Sequence, residues 1–181
     1  MQLLIMHCSC PVPRFQFKAK DMTQRSKFQK LVNSGFLFRL YLLKSLPLAF
    51  IAGVKVEVLN DECAITRVKY KWLTQNPFRS MYFACLAMGA EMSTGLLLIA
   101  EVYQSKPAIS MLVTSNHANY YKKAVGKIRF ICEDGKYVAE IVEKAKQTGE
   151  SYVLETRSIG LNETGEKVAE FTFSWSIKAK N

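Results

Sequence analysis

Histidine and paired cysteines, which supply most zinc ligands, are scarce in this 181-residue chain. It has two histidines and five cysteines, and no two cysteines have the C-x-x-C spacing. His7, Cys8 and Cys10 lie together, but no second ligand pair follows at the spacing of a zinc site. We therefore predict no metal site, and the odd, scattered set of cysteines favours a reduced, cytoplasmic setting.

Internal repeats, low-complexity tracts and a basic leader segment are also missing. Residues 1–6 are apolar but have no basic flank, so the sequence does not predict a secretory signal. The apolar fraction of 49% is ordinary for a globular protein and excludes disorder as the main state. We predict a disordered, dispensable extension over 1–21, a helical segment over 22–49 and one folded domain over 50–181.

Acidic residues are few in the first part of the chain. Residues 1–80 contain 13 Lys and Arg against 4 Asp and Glu, whereas residues 81–181 are nearly balanced. A basic half suits an anionic partner such as nucleic acid, anionic lipid or a phosphate-bearing molecule, and it also suits solvated lysine-rich faces. The basic residues form no known reading motif, so we predict no nucleic-acid partner.

Two apolar stretches resemble membrane spans without meeting the requirements of one. Residues 81–100 have the length of a span but contain Glu91 and two glycines. Residues 36–54 are interrupted by two basic residues and by Pro47. We predict no spanning helix, and peripheral membrane contact stays open for residues 36–54.

The spacing of apolar residues predicts helix first and strands afterwards. Thr23 is a suitable cap for a helix that runs to about Leu46, and Gly35 is a possible break within it. Period-two alternation over 54–58 and 63–72 then predicts a hairpin with one dry face.

A long helix is predicted at about 80–102, where nearly every face is apolar and another layer must cover it. The remainder is predicted to be strand over 109–119, over 126–132 with its continuation over 137–147, over 151–160 and over 167–178. A hairpin loop is predicted at 162–166, between the last two strands. One long helix among antiparallel strands predicts an α+β fold in which the sheet curls around the helix.

Glu91 is the one Asp, Glu, Lys, Arg or His residue within 81–100. A buried carboxylate without a partner is strongly unfavourable unless it takes up a proton. We therefore predict that Glu91 is mostly buried with a raised pKa, which suits a general base. A structural ion pair with a buried Lys or Arg is the alternative.

Two local motifs carry a resemblance to a known family. Asn76, Ser80 and Glu91 fall in register with a pattern of Asn, Gly-Thr/Ser, His/Phe-Gly-Gly and an acidic residue on the helix that follows. Residues 119–129 are similar to a strand-to-strand passage of the same family. Together with the order of elements, these motifs resemble the hot-dog fold of the acyl-CoA thioesterase superfamily, in particular the PaaI-type thioesterases and a related branch known as a domain of unknown function.

The sequence differs from the family pattern mainly where glycine is usual. Arg79, Phe83 and Ala84 stand in place of glycines, Tyr82 in place of a histidine and Lys123 in place of a proline.

The resemblance implies hydrolysis of an acyl thioester at a pocket between two subunits, hence a homodimer or homotetramer. No cofactor is expected beyond the coenzyme A thioester that is the substrate. Backbone N–H groups of Phe83 and Ala84 would polarise the carbonyl. Glu91 would be the general base or the nucleophile, and Asn76 would orient water or substrate. Further substrate contacts are expected from Ser80, Tyr82, Lys122 and Lys123, the lysines being suited to coenzyme A phosphates.

Other interpretations stay open. After thioester hydrolysis, the second interpretation is a hot-dog module that binds acyl ligands without turnover. The third is a dehydratase or hydratase, but that chemistry needs a His beside the helix acid and none lies in 76–100. Lys122 and Lys123 suit a solvated loop equally well. His117 is interpreted as an ordinary strand residue and Cys85 as an inert core thiol.

Overall fold

The computed structural model describes residues 24–180. The predicted extension over 1–21, the cluster of His7, Cys8 and Cys10 and the helix cap at Thr23 lie outside these residues.

Three short helices precede the sheet: α1 (Gln24–Asn33), α2 (Gly35–Ser45) and α3 (Pro47–Ala52). The predicted break at Gly35 is confirmed, because α1 ends before it and α2 begins at it. The third helix was not predicted. It begins at Pro47, whose fixed φ and missing N–H suit the first position of a helix.

Six antiparallel strands form one sheet in the order β1-β2-β4-β5-β6-β3. Their bounds are β1 Lys55–Leu59, β2 Ala64–Lys69, β3 Ile109–Tyr120, β4 Lys127–Cys132, β5 Ser151–Leu161 and β6 Lys167–Ala179. The predicted hairpin is confirmed as β1 and β2, and the loop at 162–166 joins β5 to β6. Within residues 24–180, β3 pairs with β6 along one side and leaves its other side without a strand.

The central helix α4 (Phe83–Val102) packs on the face of this sheet. Gly89 permits the close approach, because a Cβ there would lie 2.7 Å from the ring of Phe130 and 2.8 Å from Val68. At the same point the hydroxyl of Thr66 on β2 donates to the Gly89 carbonyl (2.6 Å). Further along, the buried hydroxyls of Ser93 and Ser158 are 2.8 Å apart. These polar contacts fix the register of the helix on the strands.

The prediction of a strand over 137–147 is wrong, because this range lies in a fifth helix, α5 (Gly135–Thr148). Its buried residues Val138, Val142 and Ala145 recur at helical spacing, so this range has an amphipathic helix pattern. Gly149 ends the helix in the left-handed conformation that favours glycine. Because α5 packs on α4, the central helix is covered by other helices as well as by the sheet.

Among residues 24–180, α4 alone is long and apolar enough to cross a membrane, and 67% of its most apolar window is buried inside the fold.

Candidate active site

The loop before α4 is organised around the side chain of Asn76. Its Oδ1 accepts hydrogen bonds from the backbone N–H of Phe78 (3.0 Å) and from the N–H and hydroxyl of Ser80 (both 3.2 Å). Its Nδ2 donates to the Met81 carbonyl at 3.4 Å. The amide oxygen of Asn76 is therefore engaged in shaping the loop, and the amide nitrogen keeps one hydrogen for another acceptor.

The two motifs found in the sequence meet in space. The Met81 N–H donates to the Ala124 carbonyl (2.8 Å), and the Lys123 ammonium reaches the Phe78 carbonyl (3.4 Å). A cavity of about 470 Å³ lies at this junction. Its wall includes six of the residues that were predicted for the site: Asn76, Ser80, Tyr82, Phe83, Lys122 and Lys123.

Aromatic and aliphatic side chains that were given no role in advance complete the wall, notably Phe78, Leu86, Tyr120 and Tyr121. Phe78 and the two tyrosines are at least half exposed or nearly so. Aromatic residues beside the Asn-Pro turn and at 120–121 are the sequence signal that could have indicated an apolar binding surface here.

The first turn of α4 presents free backbone donors. Tyr82 precedes the helix in an extended conformation, and its carbonyl accepts from the N–H groups of Cys85 (2.9 Å) and Leu86 (3.4 Å). No described residue accepts a hydrogen bond from the N–H of Phe83 or Ala84. Phe83 also lines the cavity, so these two donors lie at the positive end of the helix dipole beside it.

The two lysines at the cavity rim differ in their surroundings. The Lys122 ammonium pairs with Glu166 and lowers the pKa of that carboxyl to about 2. Lys123 has no acidic partner among residues 24–180. Both side chains are exposed. Lys123 is therefore the freer of the two cations for an anionic ligand.

Glu91 lies about two helical turns beyond Phe83, about 12 Å along the axis at ~1.5 Å per residue, and it does not line the cavity. Burial raises the pKa of its carboxyl, and no described residue forms an ion pair with it. A Cβ placed on Gly95 would lie 3.2 Å from Glu91 Oε1 and 3.3 Å from the ring of Trp175. Within one chain, the structure thus brings six predicted residues together and leaves Glu91 apart from them.

The remaining candidates have the properties expected of them. His117 is exposed on β3 and does not line the cavity. Cys85 is buried, and burial raises the pKa of its thiol, so the reactive thiolate is disfavoured. Among residues 24–180, no group of three His, Cys, Asp or Glu side chains could hold a metal ion.

Comparison with known proteins confirms the fold. The sequence profile of the family described as "Domain of unknown function (DUF4442)" matches residues 36–177. No curated protein sequence matches the chain.

Several solved structures are similar. A Pseudomonas aeruginosa protein described as a probable thioesterase has 19% identity and a TM-score of 0.65 over 85% of this chain and 95% of that one. A Chlorobaculum tepidum protein of unknown function has 16% identity and a TM-score of 0.69 over 87% and 98%. The Escherichia coli PaaI protein from the phenylacetic acid degradation operon has 9% identity and a TM-score of 0.55 over 76% and 92%. The predicted α+β hot-dog fold is therefore confirmed.

Proposed function

The chain belongs to the DUF4442 family, and from this membership and the hot-dog fold we propose that it hydrolyses an acyl thioester at a pocket completed by a second subunit. One observation carries the proposal: the free N–H groups at the start of α4 and the Glu91 carboxylate lie on the same helix but about 12 Å apart. A general base and an oxyanion donor must both lie within about 3 Å of the reacting groups. A single chain does not meet that requirement.

Two copies of α4, side by side and antiparallel about a two-fold axis, would meet it. The midpoint between Phe83 and Glu91 is Ala87, so an axis there places the N-terminus of one helix opposite Glu91 of the other. Ala84, Ala87, Met88 and Glu91 recur at helical spacing on one face, and all four are partly exposed in the single chain. The two alanines would allow a close approach of the backbones.

The open side of β3 supports the same arrangement. A strand edge without a partner is a ready site for pairing with another chain, and a two-fold dimer would join two such edges into a continuous sheet. We propose a homodimer, or a dimer of such dimers.

In this pocket the thioester carbonyl oxygen would accept hydrogen bonds from Phe83 and Ala84 N–H. Glu91 of the other subunit would take a proton from water as the water oxygen bonds to the carbonyl carbon. The tetrahedral intermediate would then expel the coenzyme A thiolate, which gains a proton, and release the acid. A raised pKa makes Glu91 a stronger base near neutral pH.

The cavity wall would hold the rest of the substrate. Lys123, with Lys122 beside it, would face the coenzyme A phosphates, and Tyr82 and Ser80 would contact the thioester arm. Asn76 would keep the loop in place and could direct its remaining amide hydrogen to water or substrate. The reaction needs no cofactor. The cytoplasmic location stays a prediction from the sequence. The reduced state predicted for the cysteines is wrong at Cys63, which is disulfide-bonded.

Binding without turnover is the second candidate, and Phe83 supplies its reason. The Phe83 ring, 55% exposed, packs edge to face on Tyr82 at 4.8 Å beside the free N–H groups. A large side chain there narrows the approach to a carbonyl that glycine would leave open.

A hydrolysis screen over acyl-CoA chain lengths tests the proposal, with wild type and Glu91→Gln in parallel. If Glu91 is the base, hydrolysis by the variant should fall by roughly 10²–10⁴ while the thermal melt stays intact. Hydrolysis of none of the thioesters, together with measurable binding of one, would favour the binding module. Unchanged turnover in the variant would remove Glu91 from the mechanism.

A further inference from the structure

The helix α2 is apolar on two opposite faces. Its inner face buries Phe38 and Leu42 in the core. Its outer face carries Phe36, Leu40 and Leu43, which are 74%, 50% and 51% exposed and follow the i, i+4, i+7 spacing of one helix face. A helix that is apolar all round is normally buried on all sides. The outer face of α2 therefore lacks the cover that its composition calls for.

The same surface continues beyond α2. Leu48 and Ile51 on α3 are 72% and 52% exposed, and Trp72 in the short 3-10 turn after β2 is 79% exposed. This turn is tied to α3, because the Lys71 ammonium donates to the Ile51 carbonyl (3.1 Å). We call Phe36, Leu40, Leu43, Leu48, Ile51 and Trp72 the outer apolar face. Large apolar side chains exposed on elements that contact one another usually mark a docking site.

The segment that carries all but Trp72 of the outer apolar face has charges of one sign. No Asp or Glu occurs between Gln24 and Val56, whereas Arg39, Lys44 and Lys55 do. Arg39 and Lys55 also line a cleft of about 200 Å³ beside Phe36, and the Arg39 guanidinium lies over the ring of Phe50 at 4.6 Å. Basic groups thus border an apolar surface with no acidic neighbour in that segment.

We propose that the outer apolar face binds the surface of an anionic membrane. Leucines, an aromatic anchor and basic residues on short helices are the composition of interfacial segments, in which apolar groups enter the acyl boundary and cations meet lipid phosphates. The 11 residues of α2 and 6 of α3 are too few to span a bilayer, so the helices lie on it. A second copy fits poorly, because a two-fold contact would set the same basic residues against each other.

Co-sedimentation of the full chain with vesicles tests this proposal. Wild type should bind vesicles of phosphatidylcholine with phosphatidylglycerol and bind pure phosphatidylcholine far less. Leu40→Gln with Leu43→Gln should weaken binding by about a hundredfold, taking about tenfold for each half-buried leucine. Arg39→Gln with Lys44→Gln should weaken it by about twenty-fivefold, at about fivefold for each cation, and raised salt should mimic that loss.

Val153→Gln is the matched control, because Val153 is 64% exposed on β5, away from these helices. The leucines, Lys44 and Val153 are exposed, so the thermal melts of the leucine pair and of Val153→Gln should match wild type. Arg39 is half-buried over Phe50, so the melt of the cation pair is measured as well and should stay within a few degrees of wild type. Equal binding to neutral vesicles, or a loss with Val153→Gln as large as with the leucine pair, would overturn the proposal. So would a lower mass of the leucine variant in lipid-free sedimentation velocity, since the face would then join subunits.

Discussion

A pocket shared between subunits can be tested by combining two inactive chains in one dimer. Glu91→Gln removes the base from one chain, and Phe83→Pro removes one backbone N–H from the other. Proline is tolerated at the first position of a helix. Tyr82 has φ −64° and ψ 134°, the extended conformation that a residue before proline prefers. The control is Phe83→Ala, which removes the ring and keeps the N–H.

The expected rate of the mixed dimer follows from which chain supplies each group, because Phe83 and Glu91 lie about 12 Å apart along α4 of one chain. If each site uses Glu91 from one chain and Phe83 from the other, the mixed dimer has one intact site and one site with both changes. Its rate should be about half that of wild type. Each homodimer should be slower than wild type by roughly 10²–10⁴, as expected for loss of a base or of an oxyanion donor. If both groups came from the same chain, every site in the mixed dimer would carry one defect.

The assay uses two affinity tags, one on each variant, with co-expression and two successive purifications to isolate the mixed dimer. Release of the coenzyme A thiol is followed with a chromogenic thiol reagent. Recovery to about half of the wild-type rate, against homodimers slower by at least about 10², supports the shared pocket. A mixed dimer no faster than the homodimers would refute it, as would a fully active monomer.

Three further predictions concern stability and substrate binding. Gly89→Ala should lower the free energy of unfolding by about 1–2 kcal/mol and the melting temperature by a few degrees, because its Cβ would meet Phe130 at 2.7 Å. Gly35→Ala is the control and should be neutral or stabilising, because a Cβ there has nothing within 4 Å. Equal melting temperatures of the two variants would contradict the packing argument. Burial raises the pKa of Glu91 in the folded state, so the unfolded state loses its proton first as pH rises above about 4.3. Wild type should therefore lose stability relative to Glu91→Gln as pH increases. A difference in the free energy of unfolding that stays constant between about pH 4 and pH 7 would contradict this. Lys123→Gln should raise KM for coenzyme A thioesters about fivefold with little change in kcat, and leave a thioester without phosphates unaffected; an equal effect on both substrates would remove Lys123 from phosphate binding.

The sequence was informative where residues close in the chain decide the structure. The alternation of β1 and β2, the apolar run of α4 and the break at Gly35 depend on local spacing, and all three predictions are confirmed. The strand expected over 137–147 is wrong: Val138, Val142 and Ala145 recur at helical spacing, and this range forms α5.

Contacts across the fold were beyond this kind of reasoning. Lys122 pairs with Glu166, and β4, α5 and β5 separate the two residues in the sequence. No local pattern indicates the pair. The partly exposed face of α4, with Ala84, Ala87, Met88 and Glu91, likewise depends on how the sheet and the other helices cover α4, and a helix that is apolar on nearly every side gives no local sign of it.

The pairing of β3 has a consequence for synthesis of the chain. β3 pairs with β6 from Ile109↔Ala179 to Tyr120↔Ala169, so its partner is the last of the six strands of this sheet to be made. At ribosomal rates, roughly 3 to 12 seconds pass between completion of β3 and completion of β6. During that interval α4 is already made but lacks the cover of β5, β6 and α5. Aggregation should therefore be a hazard mainly of the nascent chain, and slowing translation after Tyr120 should increase its dependence on chaperones.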